Sequence, residues 1–273
     1  MPNPAAHTST HSSSFPPLAT PADERKFVTA LARGLEILRC YTADDAWLGN
    51  RDFVERTGLP KATVSRLTFT LAQLGYLRYD SSLAKYALDA GVLALGGALL
   101  AGSDLVDLAR PHMRALAREI GAAVSLGCRE GLDMIYLETI RSETALTLGL
   151  TPGSRLSMLT SSMGRAYLAV QPEAAREALY ERLVSHAGAA GPEMLARTRS
   201  EVAAYANEGC CYSFREWHDD VNAIAVAFLD PVQRRCLVLS CSGPASSMDE
   251  TLFRTVIGPK LRVLAARLGL TPH

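Results

Sequence analysis

Apolar residues between positions 47 and 91 change their spacing in a way that predicts two helices followed by two strands. Val64, Leu67, Leu71 and Leu74 recur at helical intervals and define one buried stripe. Ala62, Ser65, Arg66, Phe69 and Gln73 then point away from that stripe on the same helix. A short helix precedes it, Gly58 supplies the permissive backbone of a tight turn, and Pro60 suits the opening of a helix. Residues 76–79 and 85–88 read as a strand pair. Helix, turn, helix and two-stranded wing together describe a winged helix-turn-helix, and the wing argues against a plain helical hairpin in a core.

The flanking segments follow other patterns. Residues 27–41 are amphipathic and predict the first helix of the same head. Residues 92–108 are apolar almost all round, through Val92, Leu93, Leu95, Leu99, Leu100, Leu105, Val106 and Leu108, with Gly96, Gly97 and Gly102 between. A helix of that kind is expected to be buried, either against its copy in a second subunit or against the domain that follows. A helix restarts over 111–120. Strands are expected at 123–129 and 134–140 around Glu130-Gly131-Leu132-Asp133, then at 144–150 and 155–159 around Pro152-Gly153. Helices over 161–170, 172–183 and 192–207, strands over 211–216, 223–229 and 236–241, and a helix over 249–268 complete the chain. The fold class is α+β: a curved antiparallel sheet with helices on its faces. The expected divisions are a disordered leader at 1–22, the winged helix-turn-helix at 23–91, a linker and dimerisation helix at 92–110, and an effector-binding domain at 111–270.

Charge sharpens the reading of the head alone. The chain is neutral, with 28 Lys and Arg against 28 Asp and Glu. Within 51–88, Arg51, Arg56, Lys61, Arg66, Arg78 and Lys85 face Asp52, Glu55 and Asp80, a local balance of +3. That is a modest phosphate footprint, suited to a module used in pairs. The candidate DNA contacts are Arg51, Lys61, Thr63, Ser65, Arg66, Thr70, Arg78 and Lys85, with Arg66 able to bond guanine O6 and N7. Phe69 either touches a thymine methyl or packs on the wing or a partner.

Other chemistry is sparse. No 18-residue apolar run predicts a membrane span, and the leader has neither the charged nor the apolar region of a secretion signal. Cys40, Cys128, Cys210, Cys211, Cys236 and Cys241 lack CxxC spacing, so reduced, buried thiols in a cytoplasmic protein are expected, with a metal site at Cys210, Cys211 or His218 as the alternative. Of the histidines, His7 and His11 fall in the leader and His273 at the terminus, and neither Gly-x-Ser-x-Gly nor His-Glu-x-x-His occurs. An enzyme is therefore not expected. A small-molecule-binding protein or enzyme with a vestigial DNA head stays as the alternative to a ligand-responsive regulator.

The chain resembles the IclR family of bacterial transcriptional regulators over roughly residues 27–268. The resemblance is carried by Arg33-Gly34-Leu35-Glu36-Ile37-Leu38, Thr57 to Arg66 through the turn, Gly75-Tyr76-Leu77, and Leu108-Ala109-Arg110-Pro111. Ser161-Ser162-Met163-Gly164-Arg165-Ala166, Ile224-Ala225, and Ser240-Cys241-Ser242-Gly243-Pro244 complete it. It implies a dimerising linker helix, dimers that pair further, a pseudo-palindromic operator in double-stranded DNA, and a C-terminal GAF-like α/β domain that binds a small organic acid and needs no cofactor. By position it implies a pocket at Ser162, Met163 and Gly164, with Leu148 on an apolar wall and Ser240 and Ser242 on a strand. A helix N-terminus there suits a carboxylate, and two serines two residues apart face one side of a strand. The same serines would otherwise only satisfy local backbone.

The chain departs from the family pattern at Asp220-Val221-Asn222-Ala223 before Ile224-Ala225. Arg215, Trp217 and Asn222 then fall where lining groups are expected, which points to an aromatic or larger carboxylate, with Trp217 as plain core the other reading. The expected function is ligand-responsive transcriptional regulation of a catabolic operon.

Overall fold

A computed structural model describes residues 26–42, 45–102, 104–141 and 150–270. The expected leader, Leu148 and nearly all of the strand expected at 144–150 lie outside the described residues. The chain forms two compact units, which part between Leu99 and Leu100.

In the first unit, α1 (Thr29–Arg39), α2 (Asn50–Thr57) and α3 (Lys61–Gln73) precede strands β1 (Leu77–Asp80) and β2 (Lys85–Leu88). Ile37, Phe53, Val64, Leu71 and Leu77 form the core with Cys40, Leu48 and Leu59. Gly58 closes α2 at φ 69°, its N–H donating to the Val54 carbonyl at 2.9 Å. A left-handed backbone of this kind is the conformation glycine adopts without steric cost. Pro60 sits at the N-cap of α3 rather than inside its first turn. The predicted stripe is corrected at one end: Leu74 is the C-cap of α3 and is exposed. Thr68 takes a buried place instead, its hydroxyl donating to the Val64 carbonyl at 3.0 Å, so the polar group is satisfied. β1 and β2 pair antiparallel, and Leu48 bridges to Tyr86 beside them.

Helix α4 (Ala90–Ala101) follows. Its composition predicts burial, yet in the single chain Leu93, Leu95 and Leu99 are exposed, Leu93 at 78%. The break in this region also falls earlier than expected. The next helix, α5 (Asp104–Ile120), begins beyond Gly102 and carries Pro111 in its interior. Proline there removes the bond to the Asp107 carbonyl, while Asp104 and Asp107 favour the helix start through the macrodipole.

The second unit is built on a six-stranded antiparallel sheet in the order β5-β4-β3-β8-β7-β6. Its strands are β3 (Ala123–Glu130), β4 (Asp133–Ile140), β5 (Arg155–Ser157), β6 (Cys211–Phe214), β7 (Val221–Leu229) and β8 (Cys236–Pro244). Strand alternation splits the buried residues into two cores. Val124, Leu126, Ile224, Val226, Leu237 and Leu239 meet α5 and the closing helix α9 (Gly258–Leu268) on one face. Met134, Tyr136, Ala225, Ala227 and Val238 meet α6 (Ser162–Ala169), α7 (Glu173–Ala187) and α8 (Gly191–Glu208) on the other. Adjacent on β4, Tyr136 and Leu137 enter opposite cores by strand alternation, and beyond them a bulge shifts the pairing with β3 by one residue. Among the described residues all six cysteines are free, and no group of three His, Cys, Asp or Glu gathers to hold a metal. No single helix is long and apolar enough to cross a membrane.

Candidate functional site

Each unit carries one candidate site. In the head, α3 turns Val64, Thr68 and Leu71 inward and leaves Lys61, Ala62, Ser65, Arg66, Phe69, Thr70 and Gln73 exposed. No acidic residue occurs in this helix, so its outward face is basic and rich in hydrogen-bonding groups. Thr63 is half-buried at the margin of that face. Thr70 is exposed, but its hydroxyl is turned back onto the Arg66 carbonyl at 2.9 Å. Lys85 and Arg78 lie exposed on the wing, and the Arg78 guanidinium stacks over the Trp47 ring at 4.7 Å. Arg51, on α2, is exposed and pairs with Glu55 at 2.8 Å.

The sixth cation of this segment has an internal role. Arg56 clamps Asp45 with bonds of 2.6 and 2.8 Å and also donates to the Cys40 carbonyl. The guanidinium, with help from the Thr42 hydroxyl and N–H, holds the Asp45 carboxyl down at about 2. Arg56 therefore ties α2 to the loop that joins it to α1, and the footprint facing a phosphate backbone is smaller than the raw count of cations implies.

The site in the second unit begins at the start of α6. Ser161 caps that helix: its Oγ accepts from the Gly164 N–H at 3.1 Å and donates to the Ser157 carbonyl at 2.6 Å. The N–H groups of Ser162 and Met163 have no partner among the described residues and stand at the positive end of the helix. Gly164 is what lets the helix sit this close, since a Cβ there would lie 2.3 Å from the Met158 Cα. In front of this N-terminus is a pocket lined by Tyr136, Leu150, Leu156, Ser161, Ser162, Met163, Ser213, Trp217, Val221, Ala223, Ser240 and Ser242. Among the described residues, its polar side chains are hydroxyls and the Trp217 indole, with no carboxylate or cation in the lining. Ser125 and Ser240 hydrogen-bond the Tyr136 phenol, and Ser125 Oγ lies 2.7 Å from Thr139 Oγ1. Burial pushes that phenol up to about 12, so it stays protonated.

One buried ion pair holds the N-terminus of α6 to the sheet. Arg165, 1% exposed, donates to both Glu216 oxygens at 2.7 Å, to the Tyr212 carbonyl at 2.8 Å and to the Leu159 carbonyl at 3.1 Å. Thr198, on α8, donates to that same Leu159 carbonyl, and Ser213 donates to the Thr160 carbonyl, both at 2.7 Å.

Of the expected ligand residues, Ser162, Met163, Trp217, Ser240 and Ser242 come together in this lining. Three others do not. Gly164 is pressed on Met158 behind the pocket. Arg215, in left-handed backbone at φ 58°, turns out to bond the Asp219 carbonyl at the surface. Asn222 faces the opposite side of β7 and donates to the Met248 carbonyl at 2.9 Å. Ser161, at the start of the Ser161–Gly164 stretch expected to border the pocket, also lines it, whereas Tyr136, Leu150, Leu156, Ser213, Val221 and Ala223 are lining residues that the sequence does not reveal. Period-two alternation carries the signal for two of them: if Ser240 and Ser242 face the pocket, so do their partners Ala225 and Ala223, and Val221 with them.

Comparisons agree with this anatomy. The sequence model for the IclR helix-turn-helix domain matches residues 30–81, and that for the bacterial transcriptional regulator IclR C-terminal domain matches 97–268. The chain is 38% identical over 239 residues to the HTH-type transcriptional regulator TsaQ1/TsaQ2 of Comamonas testosteroni, covering 86% of this chain and 85% of that one. It is 29% identical to the Pca regulon regulatory protein of Pseudomonas putida, covering 75% and 70%. The crystal structure of an IclR family transcriptional regulator from Brucella abortus superposes with a TM-score of 0.85 at 39% identity, covering 93% of this chain and 96% of that one. A homologue from Microbacterium hydrocarbonoxydans, complexed with 4-hydroxybenzoate, shares the fold with a TM-score of 0.65 at 22% identity, covering 88% and 97%.

The Arg165 network generates a stability prediction. Among the described residues, Arg165→Met leaves the Glu216 carboxylate only the exposed Arg197 at 3.8 Å and takes one donor each from the Tyr212 and Leu159 carbonyls, and is expected to cost about 3 kcal/mol, at the low end for a broken buried pair because Glu216 is partly solvated. Urea denaturation of the two proteins measures it. A difference below about 1 kcal/mol would show that water replaces the guanidinium freely.

Proposed function

Since the chain belongs to the IclR family of bacterial transcriptional regulators, we propose that it reads a pseudo-palindromic operator as a dimer and answers to a small aromatic acid. The observation that carries the effector assignment is the pocket itself: unpartnered helix N–H groups and serine hydroxyls at one side, Trp217, Tyr136, Leu156 and Val221 as walls. A carboxylate suits the N–H groups and the positive end of α6, and a flat ring suits the walls. The 4-hydroxybenzoate bound by the Microbacterium hydrocarbonoxydans homologue is a compound of that shape and charge. The expected divisions remain our assignment: a head at 23–91, a linker at 92–110 and an effector-binding domain at 111–270. No catalytic role is assigned to any residue, and a cytoplasmic setting follows from the DNA target.

Arg66 is assigned to base readout, and Lys61 with Arg78 and Lys85 to phosphate contact. Arg66→Ala is expected to weaken binding to the selected operator by about 1–3 kcal/mol and to relax one base position. Lys61→Ala is expected to weaken all duplexes alike and to flatten the salt dependence. Fluorescence anisotropy on operator and random duplexes separates the two, and equal losses on both for Arg66→Ala would remove that residue from base readout.

A second copy of α4 is the proposed cover for Leu93, Leu95 and Leu99, because three exposed leucines on a helix with no polar face have no better solvent-free place. Leu99→Asp is expected to shift the chain from dimer to monomer at micromolar concentration in sedimentation equilibrium. An unchanged mass would locate the interface elsewhere.

The pocket is tested by mutation of its two serines on β8. For an aromatic acid identified by thermal-shift screening, Ser240→Ala with Ser242→Ala should weaken calorimetric affinity about tenfold or more, the worth of hydrogen bonds to a charged group. Because effector and operator couple only through different affinities for two states, operator DNA must shift the effector's affinity by the same factor. Unchanged affinity in the double variant would place the acid elsewhere.

A further inference from the structure

Phe69 is 63% exposed on the outward face of α3. One helical turn on from Ser65 and Arg66, it lies between their directions, opposite the buried Val64, Thr68 and Leu71. Helical side chains lean toward the helix N-terminus, so its ring covers the turn that bears Ser65 and Arg66. The surrounding face is small or polar: Ala62, Ser65, Arg66, Thr70 and Gln73. An isolated exposed phenylalanine needs no explanation on an ordinary surface. On a basic helix that enters the major groove it does, because binding covers it, and the group it meets must be apolar.

The major groove offers one such group. Thymine alone among the four bases presents a methyl there, on C5. A protein partner is disfavoured, because the neighbours of Phe69 on its own helix face are small or polar and its flanking cation, Arg66, matches phosphate and guanine instead. We propose that Phe69 is a specificity-determining residue that reads a thymine C5 methyl next to the base read by Arg66. The inference rests on the DNA-reading role of α3.

The test uses the full chain and duplexes that it enriches from a random-sequence pool. Thymines in an enriched duplex are replaced one at a time by deoxyuridine, which removes the methyl and leaves every hydrogen bond. At one thymine position in the site, the parent protein should bind about fourfold more weakly, the worth of one buried methyl-sized group. Phe69→Ala should show no further loss at that position, while Phe69→Leu, which keeps apolar reach, should retain part of it. Other thymines should behave alike in all three proteins. Thermal melts and sedimentation establish that the variants are folded and of the same mass as the parent. The proposal is overturned if no thymine shows the penalty, if Phe69→Ala retains it in full, or if Phe69→Ala changes the oligomeric mass, which would make Phe69 a protein contact. Failure of the chain to enrich any sequence would instead overturn the DNA-reading assignment, and this proposal with it.

Discussion

The buried Arg165 guanidinium is the interaction on which the second unit's site depends. A charge without solvent is tolerated only if it is paired and its donors are satisfied, and here Glu216 and the Tyr212 and Leu159 carbonyls do both. Those partners come from three parts of the chain: the loop entering α6, strand β6 and the segment after it. The geometry that satisfies one cation therefore also sets how far the start of α6 stands from the sheet edge. Ser161, Ser213 and Thr198 then lock the same short loop, residue by residue, through bonds of 2.6–2.7 Å. The N–H groups of Ser162 and Met163, at the start of α6, have no partner among the described residues.

A pocket built this way can hold an anion without presenting a cation to it. Its hydroxyls donate or accept as a ligand requires, and the protonated Tyr136 phenol stays neutral through the physiological range. The attraction for a carboxylate then comes from fixed backbone dipoles rather than from a lysine or arginine. Such a site discriminates by shape and hydrogen bonding more than by charge, which suits a sensor that must tell one small acid from many.

Much of the head and the order of elements are legible in the sequence, because periodicity and turn residues are local signals. The helix-turn-helix, the wing, and the strands around Gly131 follow from spacing alone. The failures share a cause in tertiary context. Leu74 fits the helical stripe but stands past the end of α3, and Thr68 hides a polar group by bonding its own helix. Position in a motif puts Asn222 and Arg215 in the pocket, whereas strand parity and a left-handed backbone send them away from it. Arg165 stands inside the Ser161–Ala166 stretch with nothing local to mark its role, since a buried charge is recognised only once its partners, 51 residues away at Glu216, are known. Tyr136 is invisible for the same reason: which face of β4 lines the pocket is settled only once α6 packs against the sheet.

The head illustrates how little its own chemistry supplies. Its core holds eight buried residues, and a domain of that size retains small net stability. Arg56 is engaged with Asp45, and Arg51 shares its charge with Glu55, so few cations remain to release counterions from DNA. A single head of this kind binds any duplex weakly and discriminates by a handful of base contacts. Linking two heads rigidly converts the second encounter into an intramolecular one, and affinity and specificity rise together without any new contact. In the proposed dimer, what the neutral chain lacks in charge per head is recovered by geometry, provided the spacing between heads is fixed. A ligand that alters that spacing changes the affinity gained from pairing the heads, and needs only a small differential affinity to do so.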